Sequence, residues 1–382
     1  MNFNLTDEQQ MLQDSLRRFL ANEYGFEKRG QIIASGQGRD NGTWQALAEM
    51  GLLGFTFPEA HDGLGGNAID TMLVMESFGR ALVVEPYLAT VVLGGGLVRD
   101  AGSEAQKAAI LPAITAGEHF MAFAHSEPGA RYHLNQVSTK AAPSGDDFVI
   151  NGHKTAVLHG AQADQLIVSA RTIGADNDAY GLTLFLIDRT AEGVTVSDFA
   201  THDGHRTAEI RFTNVTVGSA ALLGPQDRAA AVIEKATDLA IAALCAEAVG
   251  VMEAMNAATL EYTRTRKQFG VPIAKFQVLQ HNMADMFIAT EQARSMAILA
   301  ASEADSDDRA RRRTAVSMAK TLVGQSARAV GQKGVQLHGG MGVTDEMFAA
   351  HLFKRLTLIN LLFGDADHHL AQVSDALLAK SA

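Results

Sequence analysis

Apolar side chains recur at helical spacing in the first part of the chain. Leu12, Leu16, Phe19 and Leu20 share one helical face. Thr6-Asp7 followed by Gln9-Gln10 reads as an N-cap with its capping box. This helical pattern runs to about residue 117, interrupted by a glycine-rich loop from Phe57 to Gly66. From about 118 to 225 the period shortens. Valine, isoleucine and threonine alternate with polar residues in Asp147–Gly152, Gln165–Ala170, Gly181–Ile187 and Gly193–Ser197. Gly145-Asp146, Asn151-Gly152 and Gly204 punctuate them, which predicts short antiparallel strands. From about 226 onward alanine, leucine, methionine and glutamate dominate, and helices of bundle length return. The run Ala229–Thr265 is long for one helix and should lie along much of that bundle. The expected class is α+β, with an N-terminal helical domain over 1–117, an antiparallel β-domain over 118–225 and a C-terminal four-helix-bundle domain over 226–382. Trp44, Met252, Met255, Met283 and Met286 sit at core spacing.

A chain of 382 residues is long enough for more than one core. Its net charge of -11 argues against nonspecific binding to nucleic acid or to an anionic membrane. An anionic substrate would therefore need local positive charge. The lone cysteine, Cys245, excludes an intrachain disulfide framework and a CxxC metal site. No apolar run reaches membrane-spanning length, and the first residues lack the charged and apolar regions of a signal peptide. These features predict a cytoplasmic location. His338, His351, His368 and His369 lack the H-x-x-x-H spacing with a carboxylate that a zinc site uses, so no metal is expected.

The most informative stretch is Tyr262–Met286. Arg264, Arg266 and Lys267 gather at a helix end, where cations offset the negative pole and can grip a phosphate. Phe269-Gly270 follows, and Pro272 restarts the chain into a helix bearing Phe276-Gln277 and Gln280. This order resembles the acyl-CoA dehydrogenase family, in which the segment grips the FAD of a neighbouring subunit. The resemblance covers nearly the whole chain. Phe57–Gly66 resembles the family's P-E-x-x-G-G-x-G loop, with His61-Asp62 where one glycine is usual. Within the family, Ala243–Gly250 and Leu362–Leu370 resemble the small-subunit branch of the pimeloyl-CoA dehydrogenases.

The resemblance implies FAD as cofactor and assigns positions to it. Arg266, Phe269 and Gln277 match the residues that reach the neighbour's FAD, and Gln336 with Gly339 and Gly340 matches the Q-x-x-G-G-x-G turn. Glycines there let backbone amides approach a phosphate. Ser126-Glu127-Pro128-Gly129 resembles the T-E-P-G turn that faces the flavin ring, with Ser126 keeping the hydroxyl. The G-S-D that usually follows is replaced by Arg131-Tyr132-His133. Arg131 is then a candidate for the CoA phosphates or for a carboxylate on the acyl chain, or it is simply a surface turn. His125, beside this turn, is a substrate candidate or a packed histidine. The strand Asn151–Gly160 resembles N-G-x-K-x-W-I-T-N, but Ala156 and Leu158 replace the tryptophan and threonine. Flavin contacts at Val157 and Leu158 are expected through the backbone, and the wall should be more open. Asp365 occupies a family threonine position that contacts FAD.

The expected base position departs from the family. Phe363 stands where most members carry the glutamate that removes the α-proton, and phenylalanine accepts no proton. Its backbone N–H can still polarise a thioester carbonyl. The alternative family position on the long helix is Ala240. Seven residues on, Glu247 returns to nearly the same face, and the resemblance makes it the candidate base. The competing readings are a glutamate salt-bridged within the bundle or one on the helix surface. The expectation is an FAD-dependent acyl-CoA dehydrogenase forming a trans-2-enoyl-CoA, with a dicarboxylyl (pimeloyl-like) or bulky acyl group. Its expected partners are electron-transferring flavoprotein and other copies or paralogues in a homotetramer or heterotetramer. Two other readings stand beside it, a non-catalytic partner subunit and a flavin oxygenase of related fold.

Overall fold

The computed structural model describes residues 5–381. The reading of the extreme N-terminus falls partly on Met1–Asn4, outside the described residues. The chain divides into two compact units.

One unit comprises residues 31–66 and 84–240. It takes the second half of α2 (Phe26–Ser35), then α3 (Asn41–Glu49), a π-helical segment (Leu88–Gly95), α5 (Gly96–Ala101), α6 (Glu104–Thr115) and the start of α7 (Ala230–Thr265); α1 (Asp7–Glu23) and α4 (Ala68–Ala81) belong to the other unit. Its centre is an eight-stranded sheet of β1 (Met121–Ala124), β2 (Lys140–Ser144), β3 (Asp147–Leu158), β4 (Gln165–Arg171), β5 (Leu182–Asp188), β6 (Val194–Ala200), β7 (Arg206–Gly218) and β8 (Leu222–Leu223). The order is β6-β7-β3-β2-β4-β5-β8, with β1 beside β4. The sheet is not wholly antiparallel as the alternation suggested. β1 and β2 each run parallel to β4. The long excursion through the β2–β3 hairpin supplies the crossover that a parallel pair requires. Ile150, Leu166, Val168, Phe185, Ile210 and Phe212 fill the core. β4 and β5 are buried almost throughout, which explains their nearly continuous apolar runs.

The other unit holds residues 5–30, 67–83 and 241–381 among those described. The capping box forms: Thr6 Oγ1 accepts from Gln9 N at 3.2 Å and Gln9 Oε1 accepts from Thr6 N at 3.1 Å. α9 (Arg309–His338) packs against α8 (Gln277–Ala304), α10 (Phe348–Leu361) and α11 (Ala366–Ser381). α4 and α7 meet backbone to backbone. A Cβ at Gly250 would lie 1.9 Å from the Glu76 carbonyl oxygen, and one at Gly79 would lie 2.0 Å from that of Glu247. Only glycine admits so close a crossing. No helix among the described residues is long and apolar enough to span a membrane, and no group of three or more His, Cys, Asp or Glu is placed to hold a metal.

Candidate active site

In the β-unit the Ser126–Gly129 turn rests on a buried ionic network. Lys154, fully buried on β3, donates to Glu127 Oε1 at 2.7 Å, to Ser169 Oγ at 3.0 Å and to the His125 carbonyl at 3.1 Å. Glu127 also accepts from the Ser138 and Thr139 amides at 2.6 and 3.0 Å. Burial alone would push the Glu127 carboxyl up; the Lys154 ammonium and these donors outweigh it and hold it below its usual range. Burial lowers Lys154 to about 8 despite Glu127. The turn is thus fixed from beneath, while Ser126 itself is exposed and its carbonyl accepts from the Thr155 amide at 2.9 Å. Just beyond, the register of β3 against β7 shifts between Lys154 and Val157, and Ala156 takes φ 51°. This bulge re-aims the strand beside the turn.

The candidate residues of this unit differ in their exposure. Val157 points into the sheet core and is 1% exposed, so its side chain is closed to a ligand. Leu158 is half-buried at the strand end. His125 is packed: its Nδ1 lies 2.9 Å from Ser169 Oγ and its ring stacks on Phe123 at 5.1 Å. Burial, then the nearby Lys154 charge, pushes it down to about 3, so it is a neutral core histidine at physiological pH. Arg131 is exposed with φ 50°.

The helical unit gathers the phosphate-type residues. After α7 the chain makes a two-residue hairpin between β9 (Lys267–Gln268) and β10 (Val271–Pro272). Phe269 and Gly270 both take positive φ, 55° and 80°, as a type I′ turn demands. The Phe269 ring is 90% exposed at the tip, edge-on to Phe276 at 6.0 Å. Arg266, Gln277 and Gln336 are exposed. Tyr262 stacks on His338 at 4.6 Å, which joins the arginine end of α7 to the turn that closes α9. In that turn Gly339 has φ 62°, and open space faces the Cβ positions of Gly339 and Gly340. Exposed guanidinium, exposed amides and an uncovered glycine turn make a donor set fit for a dinucleotide's anionic and polar groups.

Phe363 belongs to the same unit. It sits half-buried with φ 57°, just beyond α10. Among the described residues its N–H donates to no protein acceptor. Asp365 is not free to reach a ligand with both oxygens: Oδ1 accepts from the His368 amide at 2.9 Å, capping α11.

Glu247 is salt-bridged within the helical unit, one of the readings its sequence setting left open. It is buried at 2% exposure, but not in an apolar pocket without a partner. Arg355 on α10 grips both carboxylate oxygens, Nε to Oε1 at 2.6 Å and Nη2 to Oε2 at 2.7 Å. Sequence spacing did not link positions 108 residues apart. A bidentate pair takes one acceptor site on each oxygen and fixes the carboxylate's orientation toward Arg355, so a base role would require Glu247 to turn from its partner.

Three family models cover the chain in order: acyl-CoA dehydrogenase N-terminal domain over 6–118, middle domain over 122–215 and C-terminal domain over 230–378. A probable acyl-CoA dehydrogenase, YngJ of Bacillus subtilis, is 31% identical over 99% of this chain and 100% of its own. The chain belongs to the acyl-CoA dehydrogenase family. Its fold matches the glutaryl-coenzyme A dehydrogenase in its glutaryl-CoA complex with TM-score 0.91, 27% identity and coverage of 99% and 97% of the two chains. It matches a chain of the ChsE4-ChsE5 complex from Mycobacterium tuberculosis with TM-score 0.89, 25% identity and 99% coverage of each. Acyl-CoA dehydrogenases are FAD-dependent oxidoreductases, and the donor set around Arg266 and Gly340 suits that cofactor. The buried roles of Lys154 and Lys320 were not read from the sequence, although a lysine inside an apolar strand or helix is itself a signal, and His369 was weighed there only as a metal ligand.

Proposed function

We propose that this chain is a cytoplasmic, FAD-binding subunit of an acyl-CoA dehydrogenase that converts an acyl-CoA thioester to its trans-2-enoyl form. The observation that carries this reading is the free Phe363 N–H on a left-handed turn, placed to polarise a thioester carbonyl. Arg266, Phe269, Gln277, Gln336, Gly339 and Gly340 hold FAD across a subunit boundary, which makes an oligomer necessary. In the β-unit the Ser126 hydroxyl and the Val157–Leu158 backbone are the candidate contacts to the flavin ring; in the helical unit Asp365 is a candidate FAD contact through its uncommitted oxygen. When bound, FAD supplies the hydride acceptor. Arg131 meets the substrate's anionic groups, which suits a dicarboxylyl or other non-fatty acyl chain. Electron-transferring flavoprotein takes the electrons onward. The domains that divide this work are 1–117, 118–225 and 226–382.

The source of the base separates two forms of the reading. In one, Glu247 leaves Arg355 when substrate binds and takes the α-proton. In the other, a paralogous chain supplies the base and this chain is the partner of a heterotetramer. The bidentate grip of Arg355 favours the second. The test is to express the chain alone and record its visible spectrum before and after anaerobic pimeloyl-CoA or octanoyl-CoA. A flavin that bleaches, and that stops bleaching in Glu247→Gln, supports Glu247 as base. A flavin that bleaches only once a paralogous chain is added supports the partner form. A chain that never retains FAD, alone or in company, sinks both.

A further inference from the structure

The end of α10 is held by a buried lysine. Lys320, on α9, is 1% exposed. Its ammonium donates to the Ile359 carbonyl and, at 2.9 Å, to the Leu362 carbonyl. In a continuing helix the Ile359 carbonyl would receive the Phe363 N–H, four residues on. Lys320 takes that acceptor instead. The Leu362–Phe363 peptide is trans, so its C=O and N–H point in opposite directions. Drawing the Leu362 oxygen inward to Lys320 therefore turns the Phe363 N–H away from the bundle interior. A second clamp acts one peptide later. His369 Nε2 lies 3.1 Å from the Phe363 carbonyl, and its Nδ1 lies 3.2 Å from Ser317 Oγ. The carbonyl can only accept, which puts the imidazole proton on Nε2. A Cβ at Gly364 would lie 2.6 Å from His369 Nε2, so the glycine is what lets this ring close on the turn.

We infer that Lys320 is a positioning residue: by occupying the last carbonyls of α10 it withholds Phe363 from the helix and presents its N–H to the acyl thioester carbonyl. The presenting half of this inference rests on the proposed function; the withholding half does not. A lysine at a helix C-terminus also stabilises the helix simply by its charge, and the test must separate that role from positioning. The two roles move the Phe363 amide in opposite directions. Loss of a plain cap frays the helix end and speeds amide exchange there. Loss of the positioning contact returns the Ile359 carbonyl to Phe363 and slows exchange at that one amide.

The experiment compares the wild-type chain and Lys320→Met by hydrogen exchange read at single-residue resolution. The expected result is a Phe363 amide that exchanges freely in the wild type and at least tenfold more slowly in the variant. Faster or unchanged exchange at Phe363 in the variant overturns the inference. A strongly protected Phe363 amide in the wild type overturns it without any variant, which covers the case where Lys320→Met fails to fold. A second readout is the infrared carbonyl band of bound [1-13C]-trans-2-octenoyl-CoA. A band lowered from its free position in the wild type, and at least half restored toward the free position in Lys320→Met, supports presentation to the thioester. Turnover should then fall by about 10² to 10³, the usual cost of one such donor, with KM within threefold. A wild-type band that is not lowered refutes the thioester role of Phe363 and leaves the exchange result to decide the withholding role. A lowered band that Lys320→Met leaves intact refutes Lys320 alone.

Discussion

Replacing Glu247 by glutamine tests whether that carboxylate is a structural anchor or a base. Its two oxygens meet Arg355 at 2.6 and 2.7 Å, and the partners are 2% and 5% exposed. At an effective dielectric of about 20, unit charges about 4 Å apart attract by about 4 kcal/mol. Removing one partner of a buried pair costs about 3–5 kcal/mol, because the other charge is stranded. Here the stranded charge would be Arg355, close enough to Lys320 for each to feel the other's field. Glutamine keeps the shape and one acceptor, so the expected loss is about 3 kcal/mol in urea unfolding, at an unchanged dependence on denaturant. The double variant Glu247→Leu with Arg355→Met removes both charges and should recover most of that loss, since apolar replacements of buried pairs are often neutral or better. A Glu247→Gln chain within about 0.5 kcal/mol of wild type, the range of an ordinary surface change, refutes the anchor argument. If that chain also loses substrate-driven flavin reduction, Glu247 acts as base after all.

Gly250→Ala should destabilise by about 3 kcal/mol, the upper range for overpacking, since the new Cβ would meet a carbonyl oxygen at 1.9 Å. Gly340→Ala, facing open space, should leave unfolding within about 0.5 kcal/mol of wild type while weakening FAD retention; equal effects at the two glycines would contradict this reading. His125 and His369 are held neutral, each pushed down to about 3, chiefly by burial. The unfolded chain therefore binds more protons than the folded one between pH 6.5 and about 3, and stability present above that window is lost as pH falls through it. Each histidine contributes a slope of about 1.4 kcal/mol per pH unit there, so unfolding free energies that are equal at pH 7 and pH 5 would remove both from the account.

Helix, strand and helix could be read along the chain because each pattern is local. Leu12, Leu16, Phe19 and Leu20 lie within one helix, and the Thr6–Gln9 box spans three residues. The parallel pairing of β1 with β4 could not be read, because Met121 meets Gln165 across the whole β2–β3 hairpin. The same distance problem hid the site's supports. Glu247 invited a catalytic reading because its sequence neighbours are apolar; its real partner, Arg355, comes from α10. The roles of Lys320 and His369 were hidden for a related reason: they act on backbone carbonyls, and no side-chain pattern marks a carbonyl in need of a donor. The Arg266–Gln277 segment was legible because its residues lie on one short hairpin and the helix that follows.

The substitutions in this chain share a physical direction. Asp62, Ala156 and Phe363 stand where family patterns have glycine, tryptophan and glutamate, and each adopts a positive φ, at 59°, 51° and 57°. Such backbone is strained for a residue with a Cβ and persists only where its surroundings enforce it. At Ala156 the enforcing element is the β3 bulge; at Phe363 it is Lys320 and His369. At Ala156 and Phe363 the chain lacks the side-chain chemistry of the family pattern and still adopts a strained backbone. A position that serves only packing would gain from relaxing. The strained backbone is explained if the N–H groups are the working parts, with Phe363 polarising a carbonyl and the bulge facing the flavin. A chain built this way needs a proton acceptor that neither Phe363 nor a tightly paired Glu247 provides, which is the strongest physical reason to look for that acceptor on a partner chain.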